Sequence, residues 1–422
     1  MRFVADFHIH SKYSRATSKD MDLESLDKWA KIKGIKVLGT GDFTHPEWLK
    51  NLKEKLEPAE PGLYGLKPKV QNPNSKDETR FILTAEISCI YSKNNRVRKV
   101  HIIVFSPSFE AVDKINTHLG WIGNLKSDGR PILGLDAKEL AKIVLGASED
   151  CLVVPAHLMT PWFSLFGSKS GFNSIEECFE EYSKYIYAGE TGLSADPKML
   201  WRLPDCRKLA LISNSDSHSP GKIGREANVF DLPFLSYPSI ITAIKTKDPQ
   251  NFIETLEFFP EEGRYHYDGH RNCEIVLSPK ESKKYNNTCP TCGKPLTIGV
   301  MNRVEELADK PEGFRPENAI PFRSLVPLGE IIAESLGVGV VSKQVQKEYK
   351  NLIEYFGDEF KILLEAGRQE LESAALPEIA EGIIKVREGK IFIEPGYDGV
   401  YGKVRIFSSG ERKMASKQNT LF

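Results

Sequence analysis

No apolar run in this chain comes near the roughly 18 residues that a transmembrane helix needs. The N-terminus also lacks the basic-then-apolar pattern of a secretory leader. Excess charge of either sign is missing: 57 Lys and Arg stand against 58 Asp and Glu, for a net charge of −1. That argues against a uniformly basic nucleic-acid binder, while leaving room for a local basic groove opposite an acidic pocket. Cysteine is sparse and odd in number, seven in 422 residues, which disfavours a secreted disulfide framework. Methionine is scarce as well, at six, and with many Lys and Glu this leans toward heat tolerance. No internal repeat is evident. The expectation is a cytosolic protein of two or three domains, because single cores stop growing near roughly 250 to 300 residues.

What is present is ordered. Up to about residue 245, short apolar runs alternate with helical patterns. "RFVADF", "IKVLGTG", "RFILTAEIS", "KVHIIVF", "DCLVVPAH", "YIYAGE" and "LALISNSD" read as strands. "MDLESLDKWAKIKG", "AKELAKIVLGAS" and "SIEECFEEY" read as helices between them. Such alternation argues for parallel βαβ units. The composition breaks near "KTKDPQNF". Residues 263–300 are short, polar and cysteine-bearing, residues 301–409 read mainly as helix ending in a β-hairpin, and 410–422 form a polar tail.

The polar residues fall in a pattern on this frame. His8 and His10 close the first run, and residues at i and i+2 share one face of a strand, with Asp6 beside them. Asp42 and His45 follow the second, Glu86 the third, His101 opens the fourth, His157 ends the fifth, Glu190 ends the sixth with Asp196 just beyond, and Asp216 and His218 end the seventh. In a closed (β/α) barrel such ends converge on one face. Two readings stand at His101, a ligand or a core histidine, and two at His45, a ligand or a helix cap. Imidazole and carboxylate without thiolate suit Zn, Mn or Fe. Seven or more ligands exceed one ion, so two or three divalent ions are implied, with Glu86 or Asp216 bridging. Closely spaced ions suit phosphoester hydrolysis by an activated hydroxide.

"DFHIHS", "GTGDFTH", "TAEIS", "PAH" and "SDSH" resemble the successive motifs of the PHP (polymerase and histidinol phosphatase) family over about residues 1–245. The resemblance implies a seven-stranded barrel with a trinuclear site. His8, His10, Glu86 and Asp216 would share one ion and Glu86, His101 and His157 a second, while His218 would join a third. Two departures stand out: "SKYSRATS" lacks the further histidine many members carry, and "DFTH" replaces the common Asp-His. Asp42, His45 and Asp196 are the candidates to complete the third shell.

"CPTCG" supplies Cys289 and Cys292, a zinc-knuckle half site. Position 276, three beyond Cys273, is Val276; His270 with Cys273 would complete a set of one histidine and three cysteines, His266 being the alternative fourth ligand. "YHYDGHRNC", "CPTCGKPLTIGV", "PFRSLVPLGEIIA" and "GYDGVYGKVRIF" extend a resemblance to the endonuclease Q family over nearly the whole chain. That resemblance implies a DNA-repair endonuclease of archaea and some bacteria. It would nick 5′ of deoxyuridine, deoxyinosine, deoxyxanthosine and abasic sites, using two or three divalent ions (Zn, with Mn or Mg as alternatives) and one structural Zn. Asp196 or Glu190 would take part in proton transfer or bind metal. Trp162, Phe163 and Phe166 either stack on an extruded base or form a local mini-core. Lys343, Lys347, Lys350, Lys361 and Arg368 either track phosphates or simply line a solvated helix face. Gln418, Leu421 and Phe422 in "SKQNTLF" resemble a shortened sliding-clamp-binding peptide. The rival readings are a phosphatase of small phosphate esters, active without the residues beyond about 250, and a non-catalytic binding module.

Overall fold

The computed structural model describes residues 1–68 and 78–408. The chain is a mixed α/β fold around a large central sheet. It divides into two compact units. The first comprises Met1–Lys31, Ile35–Glu257 and Val300–Arg323; the second comprises Ile32–Gly34, Phe258–Gly299 and the described residues from Ser324 onward. The first unit therefore runs past the compositional break near 245 and takes in a later segment.

In the first unit β1 (Arg2–Asp6) pairs in parallel with β2 (Ile35–Gly39), and β2 in parallel with β3 (Arg80–Lys93). The direction then reverses. β3 and β4 (Arg96–Ser106) form a long antiparallel hairpin with Glu86 opposite Ile103 and Ser88 opposite His101. β4 is antiparallel to β5 (Leu152–Pro155) too. β6 (Ala188–Glu190) and β7 (Ala210–Ile212) pair in parallel as a ladder of their own. They are stitched to the rest by Leu158 N–H donating to Glu190 O (2.9 Å) and by a bridge between Ile9 and Ser217. All seven expected strands are therefore present, though not all are parallel, and β6 and β7 join the others through bonds just beyond the strand ends rather than through full ladders. Two antiparallel strands outside that expectation, β8 (Ala227–Asp231) and β9 (Phe252–Glu257), extend the sheet beyond β1.

Side chains from all seven strands, among them Ala5, Val37, Ile82, Ile103, Val154, Ala188 and Ile212, share one buried cluster. At about 25 cal/mol per Å² of apolar surface, this shared core is what holds the strand ends in place. Helices flanking the sheet begin on capped residues: Ser108, Asp136 and Ser236 accept the N–H groups of Ala111, Lys138 and Ser239, each cap contributing about 1 kcal/mol.

The second unit carries a short hairpin, Asp268–His270 against Ile275–Leu277. Helices follow at Leu328–Leu336, Lys343–Phe356, Arg368–Ala374 and Pro377–Arg387, with Ile331, Leu352, Leu371 and Ile383 buried. "FKILLEAG" forms a π-helical turn, Lys361–Glu365, instead of an α-helix. Arg368 is ion-paired with Glu381 at 3.0 Å and Lys350 with Glu354 at 3.5 Å, as on an ordinary solvated face. A terminal hairpin pairs Phe392–Glu394 with Lys403–Arg405. Gln418, Leu421 and Phe422 lie outside the described residues. No described helix is long and apolar enough to cross a membrane.

Candidate metal centre

Beyond Asp6 the first strand keeps its alternation. Phe7 and Ile9 are buried, which turns His8 and His10 to the opposite face. His10 Nε2 lies 3.2 Å from Glu86 Oε2 and 3.1 Å from Asp216 Oδ1, and His8 Nε2 lies 3.4 and 3.6 Å from the same two atoms. The other oxygen of Glu86, Oε1, is 2.7 Å from His101 Nδ1 and 3.0 Å from His157 Nε2. Two groups result, His8, His10, Glu86 and Asp216, and Glu86, His101 and His157, each with its ligand atoms within 4.8 Å of one another. Glu86 belongs to both and presents one oxygen to each.

The donor set fits divalent cations. His8 Nε2 is buried without a hydrogen-bond partner, aimed at two carboxylates, and a buried orphan of this kind needs a reason. Burial opposes charge on His8 and His10, yet the carboxylates outweigh it (Glu190, Glu86 and Asp216 around His8, Asp42 beside His10) and lift both imidazoles well above their ordinary range. Burial likewise opposes ionisation of Glu86, but His101, Arg130 and His8 hold it well below the usual carboxylate range. His101 is instead pushed down to about 4, by burial first and by the neighbouring His157 and Arg130 as well, against the pull of Glu86. A concentrated negative potential inside a ring of imidazoles is what a cation site requires.

The outer nitrogens are also fixed. Glu190 accepts from His8 Nδ1 at 2.9 Å, from the His157 N–H at 2.8 Å and from Asn214 Nδ2 at 3.0 Å. Asp42 meets His10 Nδ1 at 3.1 Å and accepts from Ser11 N, Ser11 Oγ and Ser14 Oγ at 2.6–2.8 Å. Both carboxylates therefore hold an imidazole of the groups by its outer nitrogen, the arrangement of a carboxylate–histidine pair behind a metal. Substitution Glu190→Gln is expected to weaken metal binding about 10- to 100-fold while leaving the fold intact, as read by titration calorimetry beside a melting curve.

The remaining candidates are placed elsewhere. Asp6 accepts from the Ser215 and Gly224 N–H groups at 3.1 and 2.9 Å and so ties the first strand to the Asp216 turn. Asp196 caps the helix Pro197–Leu200 by accepting from Met199 N at 2.9 Å. His45 occupies the N-cap position of the helix Pro46–Lys55 without a side-chain cap bond, and its ring stacks on Tyr13 at 4.5 Å. His218 lies beside the first group, its ring 4.4 Å from that of His10 and its Nδ1 on Asp216 O at 3.0 Å. Among the described residues, Asp42, His45 and Asp196 are not gathered into a third group: Asp42 is spent on His10 and Asp196 on its helix cap, while His45 Nδ1 is buried without a hydrogen-bond partner.

Four candidate site residues sit at positive φ without being glycine: Asp42 (49°), His157 (30°), Phe163 (63°) and Asp216 (46°). Such backbone is sparsely populated and persists where surrounding structure enforces it. Gly192 (φ 67°) presses on His157, and a Cβ there would stand 2.4 Å from the His157 Cβ. Sequence reasoning missed Asn214, Ser11 and Ser14, which carry no spacing signal. It also missed Arg130, whose Nη1 lies 2.9 Å from Glu86 Oε2; its only trace is the turn "SDGRP".

The loop after His157 is pinned by Arg303, which donates to Phe166 O, Phe172 O and Asn173 Oδ1 at 2.8–3.0 Å. Phe166 is 1% exposed, so that ring belongs to the loop's own core. Phe163 lies against His101 with centroids 4.8 Å apart and Lys99 Nζ 5.2 Å above it. Trp162 is exposed.

In the second unit, His270, Cys273, Cys289 and Cys292 form a third group of possible ligands, with Cys292 Sγ 3.5 Å from His270 Nδ1. Cys289 N–H donates to Lys294 O and Gly293 N–H to Cys289 O, making the tight knuckle. Desolvation opposes ionisation of Cys289, but the N–H groups of Cys292 and Thr291 outweigh it and draw the thiol down to about 6, toward the thiolate a metal takes. His266 is outside the group, buried and stacked on Tyr267 at 5.1 Å.

Comparison with known proteins bears on both units. Residues 327–390 match the MJ0043 C-terminal domain family. Over 255 residues, 58% of the chain, it is 37% identical to the uncharacterized protein MJ0043 of Methanocaldococcus jannaschii, of whose length the match spans 31%. Among solved structures, it is similar to the lesion-specific endonuclease PfuEndoQ from Pyrococcus furiosus, at 30% identity and TM-score 0.85 with 100% of each chain covered. It is similar too to an Endonuclease Q complex with a 27-mer duplex substrate carrying an abasic lesion at the active site, at 31% identity and TM-score 0.82 with 97% of each chain covered.

Proposed function

The chain belongs to the endonuclease Q family, and we propose that it is a metal-dependent DNA-repair endonuclease nicking the strand 5′ of deaminated bases (deoxyuridine, deoxyinosine, deoxyxanthosine) and of abasic sites. The observation that carries this reading is Glu86 offering one oxygen to His8 and His10 and the other to His101 and His157. A carboxylate shared in this way holds two ligand sets a few ångströms apart.

Two or three divalent ions held here, Zn with Mn or Mg as alternatives, would supply Lewis acidity and a water acidic enough to attack at neutral pH. The chain's own residues do the positioning. Glu190 and Asp42 hold the His8 and His10 rings by their Nδ1 atoms, so that each Nε2 faces the site. Asn214 holds Glu190 in turn. His218 and Asp216, both partly exposed, would complete a further ion's shell. Glu190 sits behind His8, which favours an orienting role over direct proton transfer. Exposed Trp162 is the ring best placed to meet a displaced nucleotide, with Phe163, already packed on His101, beside it; stacking of this kind is worth about 1–3 kcal/mol per base. The products would be a 3′-hydroxyl and a 5′-phosphate.

The same reading includes a PHP-type barrel for residues 1–245, supported by the core that all seven strands share. It includes a zinc-binding module over 263–300, supported by the Cys and His group, a DNA-binding module over 301–409, and a clamp-binding tail over 410–422. The alternative, a phosphatase of small esters, needs none of these additions. A labelled duplex with one deoxyuridine, deoxyinosine or abasic site, incubated with protein and divalent metal, decides between them. The expected result is a single nick just 5′ of the lesion, absent from undamaged duplex and from a His8→Ala, His10→Ala double variant. Phosphate release from small esters with no nick on any lesion would overturn the nuclease reading.

A further inference from the structure

We propose that Arg130 is the residue of the metal face that receives a substrate phosphate; this rests on the phosphodiesterase reading above. Its guanidinium is within one hydrogen bond of the shared carboxylate, Nη1 to Glu86 Oε2 at 2.9 Å. That oxygen also faces His8 and His10. The Arg130 side chain is 29% exposed, so one edge is enclosed by the site and the other open to solvent.

The backbone that carries Arg130 is clamped. Pro131 O accepts from Ser88 N at 3.0 Å, placing the turn against the strand of Glu86, and the Gly129 N–H donates to Tyr13 O at 3.0 Å. A Cβ at Gly129 would stand 2.3 Å from Asp42 Oδ2 and Ser14 Oγ, so the turn packs directly on the groups that orient His10. Asp128 holds the turn from outside. Its Oδ1 accepts from the Arg130 N–H at 3.2 Å, and its Oδ2 pairs with the exposed Arg15 Nε at 3.1 Å. The Arg130 guanidinium therefore stands at the solvent-facing edge of an otherwise acidic and imidazole-lined site, with its turn braced through Asp128.

One carboxylate oxygen cannot satisfy a cation and a guanidinium fully at once. With ions held by the histidine sets, Arg130 keeps its charge and its planar donor fork but shares its partner. A phosphate offers two oxygens in the geometry that fork matches. A purely structural ion pair would instead be expected to be sealed from solvent and indifferent to phosphate.

The test uses the full chain loaded with Mn or Zn. Fluorescence anisotropy compares binding of a short DNA strand bearing a 5′-phosphate with its 5′-hydroxyl twin, and elemental analysis reads metal content. Single-turnover nicking of an abasic duplex is followed in parallel. Wild-type protein should prefer the phosphorylated strand by about tenfold, as one charge-assisted contact allows. R130Q should lose that preference and slow nicking by about 100-fold at unchanged metal content. A preference retained in R130Q, or lost only together with the metals, would overturn the assignment. If a melting curve shows R130Q unfolded, R130K decides, because it keeps the charge without the planar fork; a preference equal to wild type would then sink the proposal. Wild-type protein that nicks no DNA would refute the nuclease reading, while the phosphate preference would still decide the role of Arg130.

Discussion

Substitution Glu86→Gln is expected to strip both histidine sets of metal at once and to lower lesion nicking by about 1000-fold or more. Loss of a Lewis-acid pair forfeits several kcal/mol of transition-state stabilisation, and each 1.36 kcal/mol is tenfold in rate. The breadth of the effect follows from geometry. Glu86 Oε1 serves His101 and His157, and Oε2 serves His8 and His10. An amide keeps the volume but replaces one oxygen with a donor that faces imidazoles and Arg130. By contrast, His101→Ala should impair one set and leave the other measurable. Elemental analysis of the purified variants checks this directly. Full metal content in the Gln variant would refute a bridging role even if activity fell.

The second large effect is expected in the other unit. Cys289→Ser should release one equivalent of zinc and leave residues 258–299 open to limited proteolysis, with the ions of the histidine sets retained. Zinc-finger peptides draw about 10 kcal/mol or more of folding free energy from their metal. The hairpin that the knuckle joins has strands of three residues, Asp268–His270 and Ile275–Leu277, and only Asp268 and Gly269 of these are fully buried. Two-stranded hairpins of that size are marginal alone. Unchanged zinc stoichiometry in the variant would remove the structural-zinc reading.

Much of the site was legible because strand ends bring polar residues out of apolar runs. His8, His10, Glu86, His101, His157 and Asp216 could be seen that way and are gathered together. The direction of the strands was less accessible. Asn94 and Asn95 both take positive φ, at 54° and 56°, joining Lys93 to Arg96 across a tight hairpin. Consecutive residues of this kind favour the turn whose twist matches antiparallel strands, so "KNNR" carried the signal, though the alternation with helices pointed to parallel units. Asp196 is a similar case. An Asp directly before Pro197 is a helix-start signature, and its carboxylate is spent on that cap. Asn214 and Arg130 could not be found, because they act through long-range neighbours that no spacing in one chain encodes.

The first unit is discontinuous in the chain, with Val300–Arg323 returning to it after the Phe258–Gly299 excursion. During synthesis on the ribosome, β1 must wait for β8, with Arg2 paired to Asp231. The loop that follows His157 must wait longer still for its clamp, Arg303. Pairings so far apart in sequence close late and slowly. A nascent nuclease would thus lack a finished catalytic face until most of its length has emerged, and a fragment cut near residue 250 would be a folding intermediate rather than a minimal enzyme.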